Sequence, residues 1–141
     1  MPRLLRSLAA LLTVYCLFTS VGCETTKPPE QSQWIPVPIT ELSNIAGKWE
    51  GLMRTIPPTK RDDWAALVID PDGTFRFASV RTIGVLSGGG QFTLNNGHVV
   101  ASSERGSIDA SLYEADQHRL LRAKARAADG TEYIVELRPH K

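Results

Sequence analysis

Cys23 is the residue of this 141-residue chain whose type and position point most directly to a chemical reaction. A cysteine thiolate is a strong nucleophile. The residues before it form an apolar run over positions 7–18, preceded by Arg3 and Arg6. A helix of those 12 residues rises only ~18 Å, which is too short for a hydrocarbon core ~30 Å thick. The pattern predicts a secretory signal peptide over residues 1–22, so that Cys23 begins the exported chain.

Residues 20–23 (SVGC) resemble the lipobox of bacterial lipoproteins, in which glycine precedes the cysteine that is diacylated. Ser20 departs from that pattern, because the family usually has a leucine-like residue there. Ser20 and Gly22 also suit an ordinary signal peptidase, which requires small residues at both positions. An unpaired cysteine in an oxidising compartment is otherwise a liability. The resemblance implies a lipid on Cys23, and Glu24 after it implies anchoring in the outer membrane, facing the periplasm.

The other residues capable of chemistry do not form a recognisable catalytic or metal-binding pattern. His98, His118 and His140 are predicted in two turns and the tail, without metal-ligand spacing. Residues 87–90 (SGGG) lack the Lys-Ser/Thr of a phosphate loop and are predicted to form a flexible loop. Residues 60–63 (KRDD) are typical of a solvated charge cluster. The sequence therefore predicts no catalytic residue, no metal, no cofactor and no enzymatic activity.

The basic residues along the predicted seventh strand leave two interpretations open. They could bind a phosphate or a lipid headgroup, or they could pair with acidic residues of the next strand; they are Arg119, Arg122, Lys124 and Arg126. Removing Arg3 and Arg6 with the signal leaves 14 Lys and Arg against 15 Asp and Glu, a net charge of −1. That balance favours no nucleic-acid partner.

A change in composition at Glu24 separates a tether from a domain. Residues 23–38 are rich in proline and polar side chains, and such segments cannot bury enough apolar surface to order the chain. Trp34 and Ile35 are unusual for a linker, and they either pack on the domain edge or serve as an arm for a partner. Residues 39–141 are enough for one domain.

From residue 47 onward the apolar pattern has a period of two, with turn signals every 8 to 12 residues. The predicted strands cover about 46–54, 64–70, 74–85, 90–95, 98–103, 107–113, 119–127 and 131–138. Residues 40–45 are predicted to form one helical turn with Thr40 as its cap. Eight strands joined by short hairpins favour an all-β, antiparallel up-and-down barrel, because closure removes the exposed sheet edges.

Four turns set the predicted strand registers, since a slip by one residue would turn every side chain to the other face. The turns contain Pro71-Asp72-Gly73, Asn96-Gly97, Arg105-Gly106 and Asp129-Gly130. The predicted cross-strand pairs are Ile69 with Phe75, Leu67 with Phe77, Leu94 with Val99, Phe92 with Ala101, Ala101 with Ala110, Val99 with Leu112, Ala125 with Tyr133, Ala123 with Val135, Leu121 with Leu137, Arg126 with Glu132, and Arg122 with Glu136.

Residues 47–49 (GKW) are similar to the G-x-W signature at the start of lipocalins and related small barrels. The resemblance implies that Gly47 and Trp49 close the barrel floor and that Arg138, near the end of the last strand, packs over Trp49. It also implies an open mouth flanked by the loop at residues 55–63. A lipocalin-like barrel would bind a small apolar or amphiphilic molecule inside.

Residues 38–43 (PITELS), followed by the same GKW motif, look like the opening of small periplasmic inhibitors of secreted metalloproteases. Those proteins are also eight-stranded barrels, and they insert an extended N-terminal arm into the protease cleft. The resemblance implies an arm that runs from Trp34 to Pro38 and includes Ile35 and Pro36. This chain lacks the barrel disulfide of that family.

The predicted inward face combines large residues with a wall of small ones. The expected ligand contacts are Trp49, Met53, Phe75, Phe77, Phe92 and Tyr133, and the remaining large inward residues include Leu67, Ile69, Leu94, Val99, Leu112, Leu121, Val135 and Leu137. The small residues are Gly51, Ala101, Ala110, Ala123 and Ala125. They either leave room for a ligand or let side chains fill a narrow barrel. The function classes that remain are a non-catalytic binding module for a ligand or an envelope partner, a protease inhibitor, and a structural envelope lipoprotein.

Overall fold

The computed structural model describes residues 33–58, 62–81 and 84–140, and it shows an all-β domain. Every strand pair is antiparallel. The strands are β1 (Ile35–Val37), β2 (Gly47–Ile56), β3 (Asp63–Ile69), β4 (Thr74–Arg81), β5 (Gly84–Gln91), β6 (Thr93–Asn95), β7 (His98–Ser103), β8 (Gly106–Ala115), β9 (His118–Ala127) and β10 (Glu132–Pro139), and a short 3₁₀ helix spans Leu42–Ile45.

The strands form a nearly closed up-and-down barrel. Their order in the sheet is β5-β4-β3-β2-β10-β9-β8-β7-β6, so strands that are consecutive from β2 to β5 and from β6 to β10 are neighbours. The ends of the meander meet because β10 pairs with β2, from Glu132 opposite Ile56 to Pro139 opposite Trp49. The predicted architecture is confirmed.

The part of the chain that the structure describes contains ten strands rather than eight, and two features explain the difference. Phe92 interrupts the strand region at 84–95, so that β5 pairs with β4 whereas β6 pairs with β7. β1 is an additional strand from the N-terminal segment. The prediction of a flexible loop at residues 87–90 is wrong, because these residues lie inside β5.

Most predicted registers are confirmed. Ile69 lies opposite Phe75, Leu67 opposite Phe77 and Leu94 opposite Val99. The β9–β10 pairs, including Ala123 with Val135, are also as predicted. The β7–β8 register is wrong by two residues, since the turn is Glu104-Arg105 and Ala101 faces Ile108. A slip of two keeps each side chain on its predicted face.

Two predictions of the inward face need correction at the edge of the sheet. Leu94 is 45% exposed, because β6 has only three residues and ends the sheet. Phe92 does not pair with Ala101, since it lies between strands, but its side chain is buried. Leu67 is buried as expected, and Phe77 is half-buried against the core.

The barrel floor is closed by the segment that precedes β2. Ile39 and Ile45 are buried in the same core cluster as Trp49. The 3₁₀ helix begins after Glu41, which makes no capping bond through its side chain, so the prediction of Thr40 as the cap is wrong. The indole Nε1 of Trp49 donates to the carbonyl oxygen of Ile45 at 2.8 Å, which fixes this helix under the barrel.

The N-terminal strand is part of the barrel wall. β1 pairs with the end of β8 that extends beyond β7, with Val37 opposite Leu112. The backbone N–H of Ile39 then donates to the carbonyl oxygen of Gly97 at 2.8 Å. Residues 35–37 of the predicted tether therefore belong to the sheet, while residues 23–32 lie outside the described residues.

Candidate functional site

The end of the barrel opposite the floor, here called the mouth, contains a cavity of about 690 Å³. The mouth is formed where β2, β7 and β9 end and where β8 and β10 begin. The cavity is lined by Ile56, Gln91, Thr93, Val100, Ala101, Ser102, Ser107, Ile108, Asp109, Lys124, Ala125, Arg126, Glu132 and Tyr133.

Small residues on neighbouring strands account for this space. Ala101 lies opposite Ile108, and Ile108 lies opposite Ala125, which in turn faces Tyr133. These four positions form one row across β7, β8, β9 and β10. Two alanines in the row leave volume that larger side chains would fill, and the apolar members are only partly buried. The row is therefore an apolar wall that is open to a ligand.

The floor half of the barrel is filled instead. The rings of Phe75 and Phe92 stack with their centroids 4.2 Å apart and their planes inclined by 28°. Trp49 and Leu121 are buried beside them in the same core. The small wall residues at the mouth therefore leave room for a ligand. In the floor half, side chains fill the narrow barrel.

The predicted ligand contacts divide between the two halves. Tyr133 lines the mouth cavity. Trp49, Met53, Phe75 and Phe92 are buried members of the core cluster and do not line it. Phe77 is packed against that cluster and is likewise absent from the cavity lining.

The arginine over Trp49 is Arg119 rather than Arg138. The guanidinium carbon of Arg119 lies 5.6 Å from the centroid of the Trp49 ring, within the range of a cation–π contact. Arg138 instead lies 5.9 Å from the ring of Trp34. Gly47 opens β2 with a positive φ of 125°.

Arg119 is held in place by the floor. Its Nη2 donates to the carbonyl oxygen of Asn44 at 2.5 Å, and its Nε lies 3.4 Å from a carboxylate oxygen of Glu114 on the paired strand. Arg119 shares the alternation of the buried Leu121, so its side chain starts on the inner face. The alternation of Arg119 with Leu121 in the sequence could have identified Arg119 as the arginine that reaches Trp49.

The predicted arm lies on the barrel. Pro36 is opposite Tyr113 in the β1–β8 pair, and Trp34 sits against Arg138. Ile35 is 61% exposed despite being apolar. The arm therefore exposes Ile35 together with Pro36 and Pro38, while the backbone of residues 35–37 is paired with β8.

The basic residues of β9 are mostly paired. Arg122 lies 2.7 Å from a carboxylate oxygen of Glu136, and its guanidinium is 5.1 Å from the Tyr113 ring centroid. Arg126 pairs with Glu132. Lys124 lines both the mouth cavity and a second cavity of about 600 Å³ beside β1. The cross-strand interpretation of this strip is supported, as two of its predicted pairs are present.

An ion pair flanks the mouth at the end of β2. Arg54 donates through Nε and Nη2 to the two carboxylate oxygens of Asp62, at 3.1 and 2.8 Å. These hydrogen bonds and the positive charge of Arg54 lower the pKa of Asp62, and the same hydrogen bonds and the negative charge of Asp62 raise the pKa of Arg54. The bidentate contact orients the Asp62 carboxylate, which immediately precedes β3, toward Arg54 of β2.

Clusters suited to a metal ion and helices suited to a bilayer are both absent from the described residues. Within residues 33–58, 62–81 and 84–140, His, Asp and Glu form no group of three suited to a metal ion. In the same ranges the structure contains no helix with the length and apolar character needed to cross a bilayer. Cys23 and the signal peptide lie outside the described residues.

Comparison of the chain with family models, with curated proteins and with solved structures finds no match. The observed architecture is an antiparallel, nearly closed β-barrel, which is consistent with the resemblance to lipocalins.

Proposed function

We propose that this chain is an exported, lipid-anchored binding protein whose barrel mouth holds a small amphiphilic molecule, without catalysing a reaction. The observation that carries the proposal is the mouth cavity above a filled floor. Its volume of about 690 Å³ falls in the range of ~300–1,000 Å³ typical of small-molecule sites.

The lining of the cavity favours an amphiphile over a wholly apolar ligand. Ala101, Ile108 and Ala125 supply an apolar wall for a hydrocarbon segment. The charged residues of the lining lie on the alternate, outward positions of β8, β9 and β10. Arg126 is neutralised by Glu132, and the carboxylate of Asp109 lies 2.6 Å from Nδ1 of His98. Lys124 is then available to a polar or anionic headgroup at the rim.

Binding of lauric acid to the purified exported protein tests the cavity directly. Ala125→Phe should fill part of the space and weaken binding by at least ~10-fold, which corresponds to ~1.4 kcal/mol. Ala78→Phe is the matched control, because Ala78 pairs with Ala66 on the outer wall and lies outside the cavity lining. Isothermal titration calorimetry gives both affinities, and circular dichroism checks that each variant is folded.

Two results would contradict the cavity proposal. One is equal affinity for lauric acid in wild-type protein and Ala125→Phe. The other is an absence of binding to lauric acid and to its lysophospholipid analogue in folded wild-type protein, which would favour a structural envelope lipoprotein.

The lipid anchor is the second part of the proposal, and it rests on the SVGC motif at residues 20–23. Mass spectrometry of the membrane fraction should find an acylated Cys23. Cys23→Ser should move the protein into the soluble periplasmic fraction, whereas Cys16→Ser, within the predicted signal peptide, should not. A soluble wild-type protein with a free thiol would reject the anchor.

The protease-inhibitor alternative uses the arm rather than the cavity. The pairing of β1 with β8 and the contact of Trp34 with Arg138 support an arm that belongs to the fold. The exposed Ile35 separates the alternatives, since Ile35→Glu should leave lauric acid binding unchanged. A loss of metalloprotease inhibition in Ile35→Glu, with inhibition present in the wild type, would favour the arm.

A further inference from the structure

β5 is a sheet edge with unused backbone hydrogen-bonding groups. It pairs with β4 on one side, and among the residues that the structure describes no strand pairs with its other side. The N–H of Phe92 donates to the carbonyl oxygen of Gly73 at 2.9 Å, which sets the alternation of the β4–β5 ladder. Gly88 and Gly90 therefore direct their backbone groups toward β4. Ser87 and Gly89 direct theirs to the open side.

This edge lacks the features that normally prevent strand addition. Natural edge strands are usually short, or they carry charged residues, prolines or bulges. Residues 84–91 (GVLSGGGQ) contain no charged residue and no proline, and they form one uninterrupted strand. An edge of this kind is a template for pairing with another extended chain.

The inner face beside this edge is incompletely filled. Gly88 lies opposite Phe77, yet a Cβ built on Gly88 would have no atom within 4 Å. The neighbouring Gly90 is different, because a Cβ there would lie 3.1 Å from the Phe75 ring. Phe77 remains half-buried against the core. Space for an additional inward side chain thus exists next to Gly88.

The edge also borders the mouth cavity. Pairing between β6 and β7 ends at Thr93 opposite Val100, so that Gln91 and Ser102, two positions further along that register, do not pair with each other. Both residues line the cavity. β5 and the last residues of β7 are therefore two strand edges on either side of an opening in the barrel wall.

We propose that the β5 edge accepts an extended peptide as an added strand, with apolar side chains at alternate positions. Its backbone would bond to the open side of Ser87 and Gly89, and its inward side chains would pack beside Gly88 against Phe77. A second copy of this chain fits less well. Two β5 strands centred on Gly88 would place glycine opposite glycine and leave the space beside Phe77 empty. This peptide site extends beyond the proposed amphiphile site and does not depend on it.

A synthetic peptide of alternating composition, Lys-Thr-Val-Thr-Val-Thr-Val-Thr-Lys, tests the proposal with the exported full-length protein. At saturation it should slow amide hydrogen exchange of Ser87 and Gly89, measured by NMR, by at least ~10-fold. Two control peptides should bind at least ~10-fold more weakly. One has the same composition with its valines grouped together, and the other is N-methylated at alternate residues.

Substitutions at Ser87 give a matched pair of variants. Ser87→Pro removes the open-side donor without removing a β4–β5 hydrogen bond, and it should abolish peptide binding. Ser87→Thr keeps the backbone donor, and this variant should still bind the peptide. Both variants should still bind lauric acid, which distinguishes failure of this site from failure of the cavity. If Ser87→Pro does not fold, the N-methylated peptide provides the same comparison on wild-type protein.

Three outcomes would overturn the peptide site. The first is equal exchange at Ser87 and Gly89 with and without the alternating peptide. The second is equal binding of the alternating and N-methylated peptides. The third is a dimer detected by light scattering in which Ser87 and Gly89 are already protected and which Ser87→Pro dissociates, since a second copy would then occupy the edge.

Discussion

Asp72 shows how one side chain stabilises a hairpin of this barrel. Its carboxylate accepts a hydrogen bond from the backbone N–H of Thr74 at 2.8 Å. That bond is the main cause of a lowered pKa for Asp72. Gln91 joins the same turn, because its Nε2 donates to the Asp72 carbonyl oxygen at 2.6 Å and its Oε1 accepts from Thr74 Oγ1 at 2.9 Å. The turn between β3 and β4 is thus linked to the end of β5.

The lowered pKa of Asp72 predicts the direction of a pH effect. An ionised Asp72 stabilises the folded state above the unfolded-chain pKa of about 3.9, and this contribution is lost as the pH falls through the lower folded-state pKa. Asp72→Asn should therefore reduce the free energy of unfolding at pH 7, with a difference from wild type that shrinks at lower pH. Urea unfolding at a series of pH values measures it. Glu104→Gln, which removes a charge from an exposed turn, is the control, and a pH-independent difference for Asp72→Asn would contradict the assignment.

Arg54 should control the ionisation of Asp62 at the mouth. Since hydrogen bonds from Arg54 are the largest cause of the lowered pKa of Asp62, Arg54→Gln should raise that pKa toward its ordinary value. Lys48→Gln removes a charge from the floor end of the same strand and should leave it unchanged. An NMR titration of the Asp62 carboxyl group compares the variants, and equal pKa values in wild type and Arg54→Gln would refute the ion pair.

At the scale of elements, the closure of the barrel depends on close approach of β2 and β10. Gly51 faces Leu137 across this pair. A Cβ at Gly51 would overlap the carbonyl oxygen of Glu136. The β2–β10 ladder joins the two ends of the meander, so a bulkier residue at this position would separate the strands that close the barrel.

Gly51→Ala should consequently destabilise the fold by about 2–3 kcal/mol, as expected for overpacking against backbone atoms. Gly88→Ala is the matched control, because a Cβ there meets no atom within 4 Å, and its effect should stay within about 0.5 kcal/mol. Chemical denaturation followed by tryptophan fluorescence measures both. Equal free energies of unfolding for Gly51→Ala and Gly88→Ala would contradict the prediction, because they would show that β2 and β10 accommodate the added methyl group without loss of stability.

The β6–β7 hairpin illustrates how reliably a turn can set a register. Asn96 and Gly97 have φ values of 49° and 85°, the positive pair that a type I′ turn requires. Asparagine and glycine adopt such angles readily, so the Leu94–Val99 pair was predictable from the dipeptide. The β7–β8 turn has a weaker signal, because its two turn residues are Glu104 and Arg105, and Gly106 comes after them instead of being one of them. The predicted register was accordingly wrong by two.

At the scale of the whole molecule, the barrel combines a rigid floor with a less densely packed mouth. Leu121 and Leu137 are fully buried near the floor, whereas Ala101 and Ile108 at the mouth are partly buried. Local opening is easiest where few apolar contacts are lost. A ligand site at the mouth and stability at the floor are therefore compatible within one small domain.

Hydrogen exchange followed by mass spectrometry should reveal this gradient. Peptides covering residues 119–123 should exchange only by global unfolding, and those covering residues 101–108 by faster local opening. Lauric acid should slow exchange at residues 101–108 selectively, while the floor peptides remain at the global rate. Uniform exchange rates across both regions would contradict a division of the barrel into two halves.

The amino-acid sequence by itself determined the all-β class, most strand registers and the pairing of Arg122 and Arg126 with acidic partners. These features depend on alternation along one strand and on the turn that joins it to the next, and both are local. The same logic placed Leu67, Phe77 and Val135 on the inner face.

Only the tertiary structure decided where the barrel is filled and where it is open. The volume left inside depends on every inward side chain together with the curvature of the sheet, so no single strand encodes it. The identity of the arginine over Trp49 depends on which strand passes the floor helix, and this made Arg119 rather than Arg138 the partner. The break at Phe92 is likewise a tertiary feature, because it separates a segment paired with β4 from a segment paired with β7.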